Sequence, residues 1–347
     1  MITTQKLVSK EDIFPDIIGQ DPTKNQLRTA LLTQRHIVLI GAPGIGKTTL
    51  AKSIARLLPD EEVMDCEFHC SIHAPACPLC RAGKTKQKKI LKGEDRFVRV
   101  QGSPDLTAED LLGDIDPIKA LQFGPLSLEA FTPGKIFRAN QGILFFDEVN
   151  RCPERLQNAL LQVLEEGKAT IGSYVLEFPA SFLFIGTMNP EDSSTEKLSD
   201  VFLDRFDMIY LGYPESLDIE KAIVLKKGKK LDVICSDHML EVMIYFVRML
   251  RQDENIQRKP SVRATLGLYE RSQANALLNG REVTLEDIRE AVISVLAHRI
   301  ELKPSVKYLR SSLEYLRDEF KKYSEEIRQN KLRSFKQTDE HERGDFR

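Results

Sequence analysis

The sequence predicts an α/β protein in which a parallel sheet flanked by helices is followed by a small all-helical domain. Five apolar runs, at 37–40, 97–100, 143–146, 182–185 and 208–211, have the length of buried parallel strands, and helical patterns separate most of them. A glycine-rich stretch joins the first run directly to a helical pattern. From Ser216 onward the strand-like runs stop, and amphipathic segments follow near 218–227, 237–251, 262–278 and 284–299. Alternation of strand and helix argues for crossovers on both sheet faces, with ligands taken at the carboxyl ends of the strands.

A chain of 347 residues with 41% hydrophobic content can bury an α/β core and still supply a second domain. The expected organisation is a nucleotide-binding α/β domain over 1–215, a helical domain over 216–302, a heptad helix over 303–332 and a disordered tail over 333–347. Fifty Lys and Arg against 52 Asp and Glu leave a formal charge of −2, which excludes the basic excess that drives non-specific nucleic-acid binding. No apolar run reaches bilayer length, and residues 1–6 lack a signal-peptide pattern, so a cytoplasmic location without membrane contact is expected, where disulfides are rare.

The first element after the opening strand carries the chemistry. Gly41, Ala42, Pro43, Gly44, Ile45, Gly46, Lys47 and Thr48 fit G-x-x-x-x-G-K-[ST] in its strand–loop–helix context, with Thr49 continuing into the helix. The glycines let backbone N–H groups turn inward around a β-phosphate, Lys47 supplies a point charge, and Thr48 is placed to ligate Mg²⁺. The cradle therefore binds a nucleotide triphosphate.

An insertion over 63–95 comes next. Cys66, Cys70, Cys77 and Cys80 lie within fifteen positions, with His69 and His73 interleaved and Pro75 and Pro78 keeping the segment irregular. Four thiolates suit a structural, tetrahedral Zn²⁺ that would order a segment of low apolar content; an iron–sulfur cluster and unligated or redox-active thiols stay open. Arg81, Lys84, Lys86, Lys88, Lys89 and Lys92 follow with no intervening acid, a run that would either grip phosphates or form a solvated loop.

The run at 143–146 ends in Asp147 and Glu148. Asp147 would share the Mg²⁺ shell with Thr48, and Glu148 would orient or deprotonate the attacking water. The run at 182–185 leads to Asn189, whose amide would contact the γ-phosphate or that water. Arg205 precedes the last strand, and Arg263 begins a helix of the second domain; both would place positive charge on the transferred phosphoryl, Arg205 from a neighbouring subunit. After Pro304, Val306, Leu309, Leu313, Leu316, Phe320, Tyr323 and Ile327 alternate spacings of three and four, a heptad stripe that would dock on the helical domain or serve a partner.

In this order the motifs resemble the AAA+ superfamily over roughly residues 17–302: Walker A at 41–48, Walker B at 143–148, sensor 1 at Asn189, the arginine finger at Arg205 and sensor 2 at Arg263. Ile17, Ile18, Gly19 and Gln20 resemble the box that closes over adenine, so the resemblance implies ATP, with Ile18 at the base. Segments 113–121, 131–134, 138–142 and 147–150 are similar to the magnesium-chelatase ATPase subunit of the helix-2-insert clade, whereas 150–161 and 187–190 look more like MoxR-type ATPases. That resemblance implies hairpin inserts near 117–137 and 168–178 on the working face of a hexameric ring, and a partner bearing an integrin-I (von Willebrand A) domain. The function expected is an ATP-hydrolysing motor that remodels such a partner for metal insertion or complex assembly. Two alternatives stay open, a nucleic-acid motor using the 81–92 run and a scaffold that binds nucleotide without turnover.

Overall fold

A computed structural model describes residues 2–124, 127–166, 168–171, 174–179, 181–190 and 198–342. The chain divides into two compact units, Met1–Gly212 and Tyr213–Arg347.

The first unit is built on five parallel strands, β1 (His36–Ile40), β2 (Phe97–Gln101), β3 (Ile143–Asp147), β4 (Leu183–Met188) and β5 (Phe206–Tyr210), in the order β5-β1-β4-β3-β2. Register aligns Ile40 with Met188 and Tyr210, and Gln101 with Asp147, so the carboxyl ends form one continuous rim. Side chains alternate between faces. Ile37, Leu39, Phe145, Ile185 and Ile209 pack with α1 (Asp21–Leu32) and α2 (Lys47–Ala55). Val38, Val100, Leu144, Phe146 and Phe184 face the other way, with α3 (Glu154–Glu166) and the cysteine segment. Two-sided burial explains why these strands read as unbroken apolar runs.

Among the described residues, three antiparallel ribbons belong to this unit. Glu61–Met64 pairs with Lys88–Leu91 and frames the cysteines. Gly113–Ile115 pairs with Phe131–Pro133. The insert expected as a hairpin near 117–137 is thus a ribbon enclosing a helix, Pro117–Phe123, because Pro117 starts the helix and Asp116 accepts from the N–H groups of Ile118 (2.9 Å) and Lys119 (3.2 Å). Lys168–Ile171 pairs with Tyr174–Pro179 in the second insert, whose expected Gly172-Ser173 turn lies outside the described residues.

The second unit contains α4 (Leu217–Lys227), α5 (Asp237–Gln252), α6 (Val262–Leu278), α7 (Leu285–Leu296) and α8 (Ser312–Glu342). Ser216 and Ser236 cap α4 and α5 by accepting from Ile219 and Met239 N–H, and Thr284 with Asp287 forms a reciprocal box at α7. Glu220, fully buried, accepts from both Arg251 Nη atoms at 2.7 Å and from the Thr265 hydroxyl at 2.6 Å. A buried charge is tolerated only when satisfied in this way. The C-terminal stripe is not one continuous helix over 303–332. Residues Pro304–Lys307 form a separate short helix, and α8 starts at Ser312 because Ser311 and Glu314 cap it reciprocally. Leu316, Phe320 and Tyr323 dock on α5 and α7, while Leu309 stays 76% exposed. Helix α8 also continues to Glu342, through most of the segment expected to be disordered; no Gly or Pro interrupts 312–342.

Candidate active site

The phosphate-loop residues sit on the carboxyl rim of the sheet. Gly41 N–H donates to Met188 O at 3.2 Å, and a Cβ there would stand 2.7 Å from Leu211 O, so only glycine allows β1, β4 and the end of β5 to converge. Gly44 (φ 80°) and Gly46 (φ 103°) adopt left-handed conformations that turn the loop back onto α2, with Gly46 at its N-cap. Lys47 Nζ donates to Gly41 O (2.5 Å) and Ala42 O (3.0 Å), closing the loop on itself. Thr48 and Thr49, half-buried, occupy the first turn of α2, where N–H groups and the helix dipole favour an anion.

Upstream, Gln20 donates to Gly212 O at 2.7 Å and Thr23 to Tyr210 O at 3.1 Å, which ties the 17–20 segment to the end of β5. Of the two isoleucines it is Ile17 that packs on the core, with a methyl 3.8 Å from where a Cβ at Gly46 would lie; Ile18 is half-buried.

Asp147 and Glu148 close β3 on the same rim. The Thr187 hydroxyl of β4 donates to Asp147 Oδ1 (2.7 Å) and accepts from Glu148 N–H (2.9 Å). Glu148 is left-handed at φ 58°, an uncommon conformation outside glycine and one that accumulates at functional sites. Gly102 makes room for that bend: its N–H donates to Asp147 O at 2.6 Å, and a Cβ on it would lie 2.0 Å from Glu148 O. Glu148 Oε2 accepts from Gln101 (3.0 Å) and pairs with Arg151 (3.2 Å), while Arg99 holds Asp147 Oδ2 at 2.6 Å. Asn189 directly follows β4, one residue beyond the carbonyl that receives Gly41 N–H. Arg99, Gln101 and Thr187 are polar residues near the carboxyl ends of otherwise apolar strands, which is the sequence signal that marks them.

Arg205 lies at the opposite edge. It precedes Phe206, which pairs with His36 at the start of β1, so a strand of about 16 Å separates it from its own phosphate loop. Its guanidinium is ion-paired with Glu165 of α3 and donates to Val201 O. Beside it, His36 Nδ1 accepts from Phe184 N–H at 3.1 Å and the ring donates to Leu164 O; burial holds the imidazole below its ordinary value, Arg35 adding to the effect. Arg263 is exposed at the start of α6 in the second unit. Arg299 is held below the usual arginine value by burial and by the charge of Arg263, which marks two guanidinium groups close together.

The four cysteine sulfurs Cys66, Cys70, Cys77 and Cys80 lie within 4.8 Å of one another, with no disulfide between them. Tetrahedral Zn–S bonds of about 2.3 Å put sulfurs about 3.8 Å apart, so the set fits the ion with small adjustment. Backbone N–H groups of Cys70, Ala76, Cys77 and Cys80 donate to the sulfurs at 3.3 to 3.4 Å. Donation from the Cys70 and Cys77 thiols holds Cys66 well below the usual thiol range, and the same sharing raises Cys70 and pushes Cys77 up to about 12. Burial pushes Cys80 up to about 11. The interleaved histidines stand apart: His69 Nδ1 lies 3.1 Å from Arg138 O, and His73 is exposed. In the basic run, Lys84, Lys88 and Lys89 pair with Glu129 (2.7 Å), Glu62 (3.8 Å) and Asp65 (3.0 Å).

Among the described residues, no helix is long and apolar enough to cross a membrane. Three family models match the chain: "Magnesium chelatase, subunit ChlI" over residues 13–89, "ATPase family associated with various cellular activities (AAA)" over 80–208, and "AAA lid domain" over 248–311. A magnesium-chelatase subunit ChlI homolog of Methanocaldococcus jannaschii is 28% identical over 89% of this chain and 91% of its own length. The chaperone MoxR1 of Mycobacterium tuberculosis is 26% identical over 82% of this chain and 73% of its own. In fold, the chain resembles the crystal structure of NtrX from Brucella abortus, with a TM-score of 0.50 and 17% identity, covering 88% of this chain and 61% of that one.

Proposed function

We propose that this chain, an AAA+ ATPase by its P-loop α/β fold, its lid-domain match and its resemblance to ChlI and MoxR proteins, is the ATP-hydrolysing subunit of a ring motor. The observation that carries the reading is the adjacency of β1, β4 and β3, whose ends bring Gly41–Thr48, Asn189 and Asp147–Glu148 onto one rim while Arg205 stands at the other edge.

The residues divide the work. Lys47 and the N–H groups of the loop grip the β- and γ-phosphates, with Ile18 and its neighbours on the adenine. Thr48 and Asp147 are the ligands that would hold Mg²⁺, which when bound neutralises charge on the phosphate oxygens. Glu148, aimed by its left-handed backbone, orients the attacking water and accepts its proton; Asn189 positions that water or the γ-phosphate. Before this can happen, Arg99 and Gln101 must yield the carboxylates they hold. Arg205, too far from its own loop, acts on the next protomer, and such a head-to-tail contact closes into a ring, here a hexamer. Arg263 would add positive charge at the transferred phosphoryl, the sensor-2 role its resemblance implies.

The downstream chemistry belongs to a partner. Resemblance to chelatase and MoxR proteins supports one with an integrin-I (von Willebrand A) domain, remodelled for metal insertion or complex assembly by the two inserts. The four cysteines hold a structural Zn²⁺. Of the six basic residues behind the nucleic-acid alternative, Lys84, Lys88 and Lys89 are paired with acids, which favours the solvated-loop reading of the run. Glu148→Gln tests the core reading: it should bind ATP with wild-type affinity and hydrolyse it at least a hundredfold more slowly, whereas unchanged turnover would overturn the assignment, and a wild type equally inactive would favour a scaffold.

A further inference from the structure

The cysteine segment touches the first insert at two points, through Phe131 and Glu129, and the chain just after it at three more, through Phe137, Arg138 and Asn140. Phe68, between Cys66 and Cys70, sets its ring 6.3 Å from Phe131 on the insert ribbon and 5.4 Å from Phe137, and those two are 5.9 Å apart, so the three rings form one cluster. Phe68 O accepts from Asn140 Nδ2 at 3.4 Å, and His69 Nδ1 meets Arg138 O at 3.1 Å. Past the last cysteine, Lys84 pairs with Glu129 at 2.7 Å, one residue before the carbonyl of Ala130 that receives Asp116 N–H, the base of the helix Pro117–Phe123.

That helix has little other support. None of its residues is buried, and Ile118, Leu121 and Phe123 are 69%, 90% and 53% exposed. An isolated two-stranded ribbon three residues long is marginal in water, so its order must come from what lies beneath. Phe131 of the ribbon packs beneath it with Leu111, Ile136, Phe137 and the cysteine segment. The segment itself, apart from the ribbon Glu61–Met64 with Lys88–Leu91, is loop and one short helix, and the buried thiols Cys70, Cys77 and Cys80 are part of the core that Phe131 and Phe137 share. The phosphate loop and α2 pack on the opposite face of the sheet.

We propose that the four-cysteine site is a metal-dependent pedestal: a Zn²⁺ ion bound by Cys66, Cys70, Cys77 and Cys80 fixes Phe68, and Phe68 fixes the insert. This rests on the zinc reading above and extends it from local stability to control of the moving part. Binding of the ion would form four Zn–S bonds as the thiol S–H bonds break and their protons pass to solvent, and would set the reach of the Cys66–Cys70 loop that carries Phe68. Loss of the ion frees the insert while leaving the nucleotide cradle formed.

The test uses the full chain and Zn²⁺ itself as the probe. Metal analysis should find one zinc per chain. Its removal by a chelator should speed amide exchange over 113–133 about tenfold, leave exchange over 41–49 unchanged and leave ATP affinity unchanged; adding Zn²⁺ back should restore the original rates. Phe68→Ala keeps all four ligands and should retain zinc yet show the same acceleration. If zinc leaves and returns with no change over 113–133, or if Phe68→Ala is silent there, the pedestal is overturned and the metal site stands. If removal also abolishes ATP binding, the local role is wrong. A chain that neither contains nor takes up zinc overturns the metal reading itself.

Discussion

The Thr187 hydroxyl donates to Asp147 Oδ1 at 2.7 Å while accepting the N–H of Glu148 at 2.9 Å, so one side chain on β4 fixes both acidic residues at the end of β3. A hydroxyl can do both at once, because it carries one proton and two lone pairs. Hydrogen bonds to charged groups contribute about 1.5 to 3 kcal/mol. Thr187→Val should therefore lower kcat by about tenfold to a hundredfold with little change in ATP affinity, and Thr187→Ser should recover most of it. Steady-state hydrolysis assays on both variants check this.

Gly102 is required by the bend at Glu148. A methyl at this position meets the Glu148 carbonyl at 2.0 Å, a backbone atom that cannot swing away. Gly102→Ala should destabilise the first unit by about 1 to 3 kcal/mol and reduce turnover by displacing Glu148, read by thermal unfolding alongside hydrolysis.

Arg99 and Gln101 hold the two acidic residues at the end of β3. Arg99→Ala frees Asp147 Oδ2, and Gln101→Ala frees one hydrogen bond on Glu148. If Arg99 competes with Mg²⁺ for that carboxylate, Arg99→Ala should lower the Mg²⁺ concentration needed for half-maximal turnover by about threefold to tenfold, seen in a Mg²⁺ titration at fixed ATP.

Acid should loosen the body next to Arg205. Burial depresses His36 below its ordinary 6.5, so the unfolded chain binds the proton more readily than the folded one. The stabilisation is complete above pH 6.5 and is lost as pH falls through the folded value. Protonation would also break acceptance of Phe184 N–H by Nδ1. Thermal unfolding from pH 7.5 to 5 should show a falling midpoint in the wild type and a flatter profile in His36→Asn.

The parts of this site that were legible in the sequence are those held by neighbours along the chain. Gly41 to Thr48, Asp147 with Glu148, and Asn189 each terminate an apolar run, so strand-end position and chemistry could be read together. Spacing does not reveal Arg99, Gln101 and Thr187, because their contacts depend on the register that sets Gln101 beside Asp147 and brings β4 next to β3. The pairing of Arg205 with Glu165, forty positions away, is equally invisible to spacing. In the cysteine segment the spacing shows the four sulfurs but not which way His69 turns, since Arg138 O competes for it. The C-terminal stripe reads as one helix because periodicity does not register the Ser311–Glu314 cap that restarts it.

Hydrolysis completed across a subunit boundary is the central claim, and mixing two inactive variants measures it directly. Arg205→Ala keeps a whole phosphate loop, and Lys47→Ala keeps a whole finger. Each alone should be nearly inactive, and an equimolar mixture should regain turnover because some boundaries then join an intact loop to an intact finger. A mixture as inactive as its components, or Arg205→Ala as active as the wild type, would contradict the account.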